Sequence, residues 1–378
     1  MLKLLLIIFL LVNLIWIGSQ NNFIKNLFGL YQNQAQTNPS STPFPSSEIP
    51  IFLPTQSFKS SPLPTPEVTL NTPGDYKLLP EQKYVYQTYN NCGPATLSML
   101  LDFYDTNLSQ QEIASELRPY NNPQGFNDDK SVTLDELASF AVSQGFTTFK
   151  RPNGDIEKLK LFLANDIPVI TITWIDQKGG FGHYRIVKGY NQKTNQIIQD
   201  DTIFGQQQSV GYSEFTKLWQ VFNYDYLVVV PSSKTEIVKA ILKSELSEKV
   251  AYTNALNKAK EESGDFATFN QSINQYYLGN YPESLILYER VAQRLPYRLL
   301  WYQIEPISAY FKQKDYDKVF ASTEQIFKSG NPSASELYQL RGESYLELGN
   351  KSAAKAEFEK ALIYNNKYQP ARESLNKI

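Results

Sequence analysis

From about Gln32 to Pro73 the chain reads "QNQAQTNPSSTPFPSSEIPIFLPTQSFKSSPLPTPEVTLNTP", and no core can be built from such a tract. It is dense in Pro, Ser and Thr and shows neither a helical nor a strand period of apolar residues. It buries too little apolar surface to offset the entropy of ordering it. An extended, disordered linker over residues 20–75 is the expectation, so folded material must lie to either side. With 378 residues, 42% of them hydrophobic, the chain has enough for two or three domains of ~100–200 residues.

Before the linker, "MLKLLLIIFLLVNLIWIGS" (residues 1–19) places Lys3 ahead of an apolar run from Leu4 to Ile17 that only Asn13 interrupts. The run is shorter than the ~20 residues that span a bilayer comfortably and longer than many signal-peptide cores. Cleavage after Ser19 would put Ile17 where a small residue is preferred, which favours an uncleaved anchor; secretion after cleavage is the alternative. With Lys3 on the cytoplasmic side, the body of a single-pass protein of the cell membrane would lie outside the cytoplasm. The 36 basic and 38 acidic residues nearly cancel to a net charge of −2 and are scattered, so the electrostatic footprint of a nucleic-acid binder is missing.

Residues 76–231 read as one α+β domain. A helix opens at Cys92 ("PATLSMLLDFY"), with Leu97, Leu100, Leu101 and Tyr104 at helical spacing. "SQQE" (Ser109–Glu112) and "TLDE" (Thr133–Glu136) are capping boxes that start two more helices. A helical segment at Asp155–Ala164 leads into "IPVITITWI" (Ile167–Ile175), rich in β-branched residues, then "HYRIVKGY", "NQIIQD", a short helix near Ser213 and "YDYLVVVP". The expected order is helices first, then an antiparallel sheet of about four strands.

Residues 232–265 read as a helical connector, and 266–378 as a repeat array. In the last copy Tyr338, Gly342, Tyr345, Gly349, Ala354, Phe358 and Ala361 recur at spacings that let small residues bring paired helices close while aromatics fill the gaps. Stepping back about 35 residues at a time sets Val319 and Ser284 opposite Ala354, and Thr323 and Tyr288 opposite Phe358. This pattern resembles the tetratricopeptide repeat family over about Phe266 to Tyr368. The resemblance implies an all-α solenoid that recruits a protein partner on its concave face.

The chain has one cysteine and one histidine. A thiol becomes a nucleophile when a base removes its proton and a positive field holds the thiolate, and a helix N-terminus beside a histidine supplies both. Cys92 stands at such a terminus in "NNCGPAT", and Pro94 suits a first turn, where its missing N–H costs nothing. The base must then be His183, which follows "GGFG" and begins a strand. Asp200 and Asp201, at the end of the next strand, are both placed to accept the second imidazole N–H. The oxyanion formed on attack needs donors, which the Cys92 backbone N–H and the Gln87 side-chain amide can provide. One Cys and one His leave too few of the usual ligands for a zinc site, and no phosphate- or dinucleotide-binding glycine motif occurs, so no metal or cofactor is implied.

"YQTYNNCGPATLSMLL", "GHYRIVKGY" and "IIQDDTIFG" resemble the double-glycine (bacteriocin leader) peptidases, family 39 of the cysteine peptidases, and more closely their stand-alone relatives. The resemblance covers about Leu78 to Pro231. It implies a papain-like fold, a helix carrying the cysteine packed on an antiparallel sheet carrying His and Asp, with Cys92 as nucleophile, His183 as base and Gln87 as oxyanion donor. The family usually has Asp-Pro with Gly two residues later; "DTIFG" matches with Thr202 in place of Pro, which favours Asp201 over Asp200. Gln87 is also one residue closer to the cysteine than in many members, and no ATP-binding cassette follows, which argues against bacteriocin export. The function expected is a membrane-anchored cysteine peptidase acting on a peptide or protein outside the cytoplasm. "DQKGGFG" and Tyr89 are candidate cleft walls. The alternatives are a non-catalytic scaffold working through its repeats, or an amidase or isopeptidase using the same triad.

Overall fold

The computed structural model describes residues 68–117, 132–176 and 180–378. The expected anchor at residues 1–19 and most of the linker lie outside them. Among the described residues no helix is long and apolar enough to cross a membrane. Val68 to Ile378 form one compact unit. Its first residues, read from sequence as the end of the linker, run along the domain: the Asn71 N–H donates to Asn165 Oδ1 at 2.9 Å, and the Asn165 side chain returns a bond to the Asn71 carbonyl at 3.1 Å.

The first half of this unit runs β1 (Tyr76–Leu78), α1 (Cys92–Asp102), α2 (Gln110–Leu117), α3 (Leu134–Ser143), β2 (Thr147–Arg151), α4 (Ile156–Ala164), β3 (Val169–Trp174), β4 (Gly182–Asn191), β5 (Gln196–Asp201), β6 (Gly205–Gly211), α5 (Tyr212–Gln220) and β7 (Tyr226–Val230). The strands make one seven-stranded sheet in the order β2-β7-β3-β4-β5-β6, and all its pairings are antiparallel. β1 pairs with the far end of β4, at Gly189–Asn191, beyond the stretch that β3 occupies. The sheet is larger than the four strands read from the sequence. The additional strands are "YKL", "TTFKR" and "GQQQSVG", which are short or polar and lie at or near sheet edges, where no apolar alternation is required.

Both capping boxes form. The Thr133 hydroxyl accepts from the Glu136 N–H and Glu136 reaches back to the Thr133 N–H; Ser109 and Glu112 exchange the same pair of bonds. α1 is buried along nearly its whole length, packed against β4, α2 and α3, so it needs no polar face.

The connector is not one helix. After a short 3-10 turn, α6 (Thr235–Leu242) ends at Lys243, whose φ of 50° breaks it, and α7 (Glu248–Glu261) starts anew. The break is fastened to the sheet domain: buried Glu245 accepts from Lys158 Nζ at 2.6 Å and Asn153 Nδ2 at 2.9 Å, while Arg151 Nε donates to the Glu245 carbonyl at 2.7 Å.

Beyond it come α8 (Asp265–Tyr277), α9 (Tyr281–Val291), α10 (Leu299–Tyr302), α11 (Glu305–Lys312), α12 (Tyr316–Lys328), α13 (Ser335–Glu347), α14 (Lys351–Tyr364) and α15 (Gln369–Leu375). Three helix pairs, α8/α9, α11/α12 and α13/α14, are joined by short turns in which the positive φ falls on Gly279, Lys314 and Gly349, spaced 35 residues apart. The next residue is Asn280, Asp315 or Asn350, and in the last two pairs its side chain accepts the N–H three residues on. Ser284, Val319 and Ala354, again at that spacing, are fully buried. The hydrophobic core is continuous from α1 and the sheet into these helices.

A Cβ on Gly342 would lie 2.3 Å from Phe358 Cε1, so α13 and α14 close only over a bare backbone. Gly342→Ala should destabilise by ~1–3 kcal/mol through overpacking, read as a lowered Tm in thermal unfolding. An unchanged Tm would show that the pair has slack.

Candidate active site

Cys92 is the first residue of α1. The turn that delivers it uses Asn90 at φ 55° and Asn91, whose N–H donates to the Thr88 carbonyl at 3.1 Å and whose side chain donates to Thr88 Oγ1 at 2.8 Å. Both asparagines are thus spent on the turn. No acidic residue stands in the first turn of α1, so the positive end of the helix acts on the thiol without a neutralising neighbour. Pro94 lacks an N–H, which leaves the Cys92 and Gly93 amides as the donors at this end.

His183 is the second residue of β4, and β4 and β5 run antiparallel with Arg185 opposite Asp201. His183 Nε2 lies 2.9 Å from Asp201 Oδ1, with both side chains 2% exposed. The imidazole also hydrogen-bonds Cys92. With Nε2 engaged by the carboxylate, Nδ1 is the ring nitrogen that serves the thiol.

Asp201 is heavily partnered. Its Oδ1 accepts the backbone N–H groups of Ile203 at 2.8 Å and Phe204 at 3.0 Å, and its Oδ2 accepts Arg185 Nε at 2.6 Å. Burial pushes this carboxyl's pKa up, but the His183 hydrogen bond, the His183 and Arg185 charges and the Ile203 N–H outweigh it and hold the group well below the ordinary range. Burial likewise opposes the His183 cation, as does Arg185; the bonds to Asp201 and Cys92 and the carboxylate charge prevail, so the imidazole titrates above its ordinary value. The two shifts agree in favouring an imidazolium–carboxylate pair.

Asp200 belongs elsewhere. It is fully buried and accepts from Gln82 Nε2 at 2.6 Å, Lys188 Nζ at 3.2 Å and the Gln207 N–H at 2.7 Å. Of the two aspartates left open by the sequence, Asp201 is the one hydrogen-bonded to His183. Gln87 sits beside the same turn: its N–H donates to the Thr202 carbonyl at 3.0 Å, and Thr202 Oγ1 donates to Gln87 Oε1 at 2.7 Å.

Several positioning residues were not singled out from the sequence. Arg185 is 4% exposed and spends its guanidinium on Asp201, on Thr173 Oγ1 and on the carbonyls of Trp174 and Ile175. A signal existed: it stands two residues after His183, on the same strand face. Gln110, buried in α2, donates to the Tyr86 carbonyl and accepts the Thr88 N–H, both at 2.8 Å, and so pins the backbone on either side of Gln87. Tyr84 donates its hydroxyl to the Asp201 carbonyl. Local sequence carries no trace of the last two contacts. Of the cleft-wall candidates, residues 177–179 lie outside the described residues. Phe181 of the same loop is about half exposed, and exposed Tyr86, Ile203 and Phe204 stand next to other site residues. Among the described residues no group of three His, Cys, Asp or Glu is placed to hold a metal ion.

Residues 80–227 match the Peptidase_C39 like family. This peptidase C39-like domain is an antiparallel sheet with helices. It is also similar to solved structures: a putative C39-like peptidase from Bacillus anthracis (17% identity, TM-score 0.34, 42% of this chain and 98% of that one) and the peptidase domain of Streptococcus ComA, a bifunctional ABC transporter of a quorum-sensing pathway (21%, 0.29, 41% and 98%). A third is a double-glycine motif protease from an AMS/PCAT transporter in complex with the leader peptide (16%, 0.31, 42% and 99%). No curated protein matches the chain.

Proposed function

We propose that the peptidase-like domain is a cysteine peptidase in which Cys92 is the nucleophile, His183 the general base and acid, and Asp201 the group that orients and charges the imidazole. The observation that carries this is the buried line Cys92–His183–Asp201, closed at its far end by Arg185. The thiolate attacks a peptide carbonyl, the oxyanion is held by the Cys92 N–H and the Gln87 amide, and His183 protonates the leaving amine. Water then attacks the thioester with His183 as base, releasing the acid and the free thiol. The leader-peptide complex of the transporter protease and the exposed apolar side chains around the triad favour a peptide substrate. The 35-residue recurrence of turns and buried small residues supports reading α8 to α15 as tetratricopeptide-like repeats that recruit a protein. Residues 1–19 would anchor the whole to the cell membrane with its body outside the cytoplasm.

The test is alkylation of the full chain by iodoacetamide across pH. Cys92 should react at a rate that levels off well below the ~8.5 at which an ordinary thiol ionises, and His183→Ala should return the profile to that of a free thiol. A wild-type profile centred near 8.5 and insensitive to His183 would sink the catalytic reading and leave the scaffold one.

A further inference from the structure

We infer that Thr202 is a positioning residue for the oxyanion donor, acting on Gln87 and not on the triad; the inference rests on the peptidase reading above. Thr202 is 1% exposed, and all of its described polar bonds join it to Gln87. Its hydroxyl donates to Gln87 Oε1 at 2.7 Å, and its carbonyl accepts the Gln87 N–H at 3.0 Å. A side-chain amide has one acceptor and two donors on opposite sides of its carbon. With Oε1 tied to Thr202, the Nε2 donors fall on the opposite side of the amide, and the inference is that this side serves a carbonyl on Cys92. Gln110 fixes the flanking backbone at Tyr86 and Thr88, and the Thr202 hydroxyl restrains the rotation of the Gln87 side chain.

This joins two departures noted in the sequence. Gln87 stands one residue closer to the cysteine, and a threonine replaces proline after Asp201. Proline has no hydroxyl to give. Thr202 and Gln87 form one device on facing segments.

The geometry separates two reactions of the same thiolate. Acylation by p-nitrophenyl acetate forms a C–S bond while the carbonyl π electrons move onto oxygen; the resulting oxyanion collapses and expels p-nitrophenolate, so the step needs the oxyanion donors. Alkylation by iodoacetamide forms a C–S bond as iodide leaves, and builds no oxyanion. Thr202→Val in the full chain should slow acylation by about tenfold or more, approaching the ~10²–10³ expected for losing a donor outright, with alkylation unchanged. Thr202→Ser should restore it, and Thr202→Val added to Gln87→Ala should cost nothing further. Thr202→Ala serves as a second hydroxyl-free variant should the valine fail to fold. Acylation unaffected by both variants, alkylation slowed in step with acylation, or full additivity with Gln87→Ala would each overturn the inference while the peptidase reading stands. Loss of that reading would show separately, as a wild-type Cys92 that alkylates like a free thiol.

Discussion

Asp201→Ala should cost the protein stability and chemistry together. Arg185 would keep its bonds to Thr173, Trp174 and Ile175 but lose its carboxylate, leaving a buried guanidinium uncompensated; breaking such a pair from one side costs ~3–5 kcal/mol. The Ile203 and Phe204 amides lose their acceptor as well, so the turn carrying Thr202 loosens. Asp201→Asn is the sharper probe of chemistry, since it keeps the shape and removes the charge that favours the imidazolium. Its turnover should fall by a factor on the order of 10³–10⁴, and the alkylation profile of Cys92 should move up in pH. Asp200→Asn should lower Tm through its loss to Lys188 and leave that profile in place. Identical profiles for Asp201→Asn and wild type would reduce Asp201 to a structural partner of Arg185.

The same pair sets a pH window for stability. The Asp201 pKa is lowered in the fold, so its contribution is present above ~3.9 and is lost as pH falls through the folded value; the His183 pKa is raised, so its contribution is present below ~6.5 and is lost as pH rises through the folded value. The two stabilise together between those limits.

Removing residues 232–378 should leave the peptidase-like domain unable to hold its native state. Trp174 and Phe222 pack edge to face at 5.1 Å, and Tyr302 of α10 stands against both, at 6.4 and 5.8 Å. The loop after α5 carries two residues of positive φ, Asn223 and Tyr224, and the helices hold it. Asn223 and Asn274 exchange side-chain bonds at 2.8 and 3.0 Å, Asn270 donates to the Gln220 carbonyl at 2.7 Å, Gln303 donates to the Val221 carbonyl at 3.0 Å and Tyr224 donates to Glu262 at 2.6 Å. Exposing the aromatics costs ~1.5–3 kcal/mol each, and each hydrogen bond exchanged for water removes a further ~0.5–1.5 kcal/mol. The sum rivals the whole stability of a domain, ~5–15 kcal/mol. Residues 68–231 should therefore aggregate or melt without cooperativity beside a cooperative 68–378, as seen by circular dichroism on heating. A fragment melting within a few degrees of the longer chain would show that the helices are merely tethered.

Elements with strong local signals were legible. Capping boxes, the β-branched strands and the spacing of small residues in the last helices depend on neighbours a few residues away. The short strands β1, β2 and β6 were not, because a polar edge strand is specified by its partner and not by its own pattern. The break at Lys243 was hidden because the contacts that fasten it, Glu245 with Lys158 and Asn153, lie far away in sequence.

The sequence by itself determined the chemistry available: with one thiol and one imidazole, only Cys92 and His183 could form such a pair, and "NNCGP" placed the thiol at a helix start. Which aspartate meets the imidazole, that Arg185 anchors it, that Thr202 holds Gln87 and that the helices complete the core were decided only by tertiary structure. Those are contacts between residues far apart in the chain, fixed by strand register and by burial of charge, and neither leaves a periodic mark on the segments that make them.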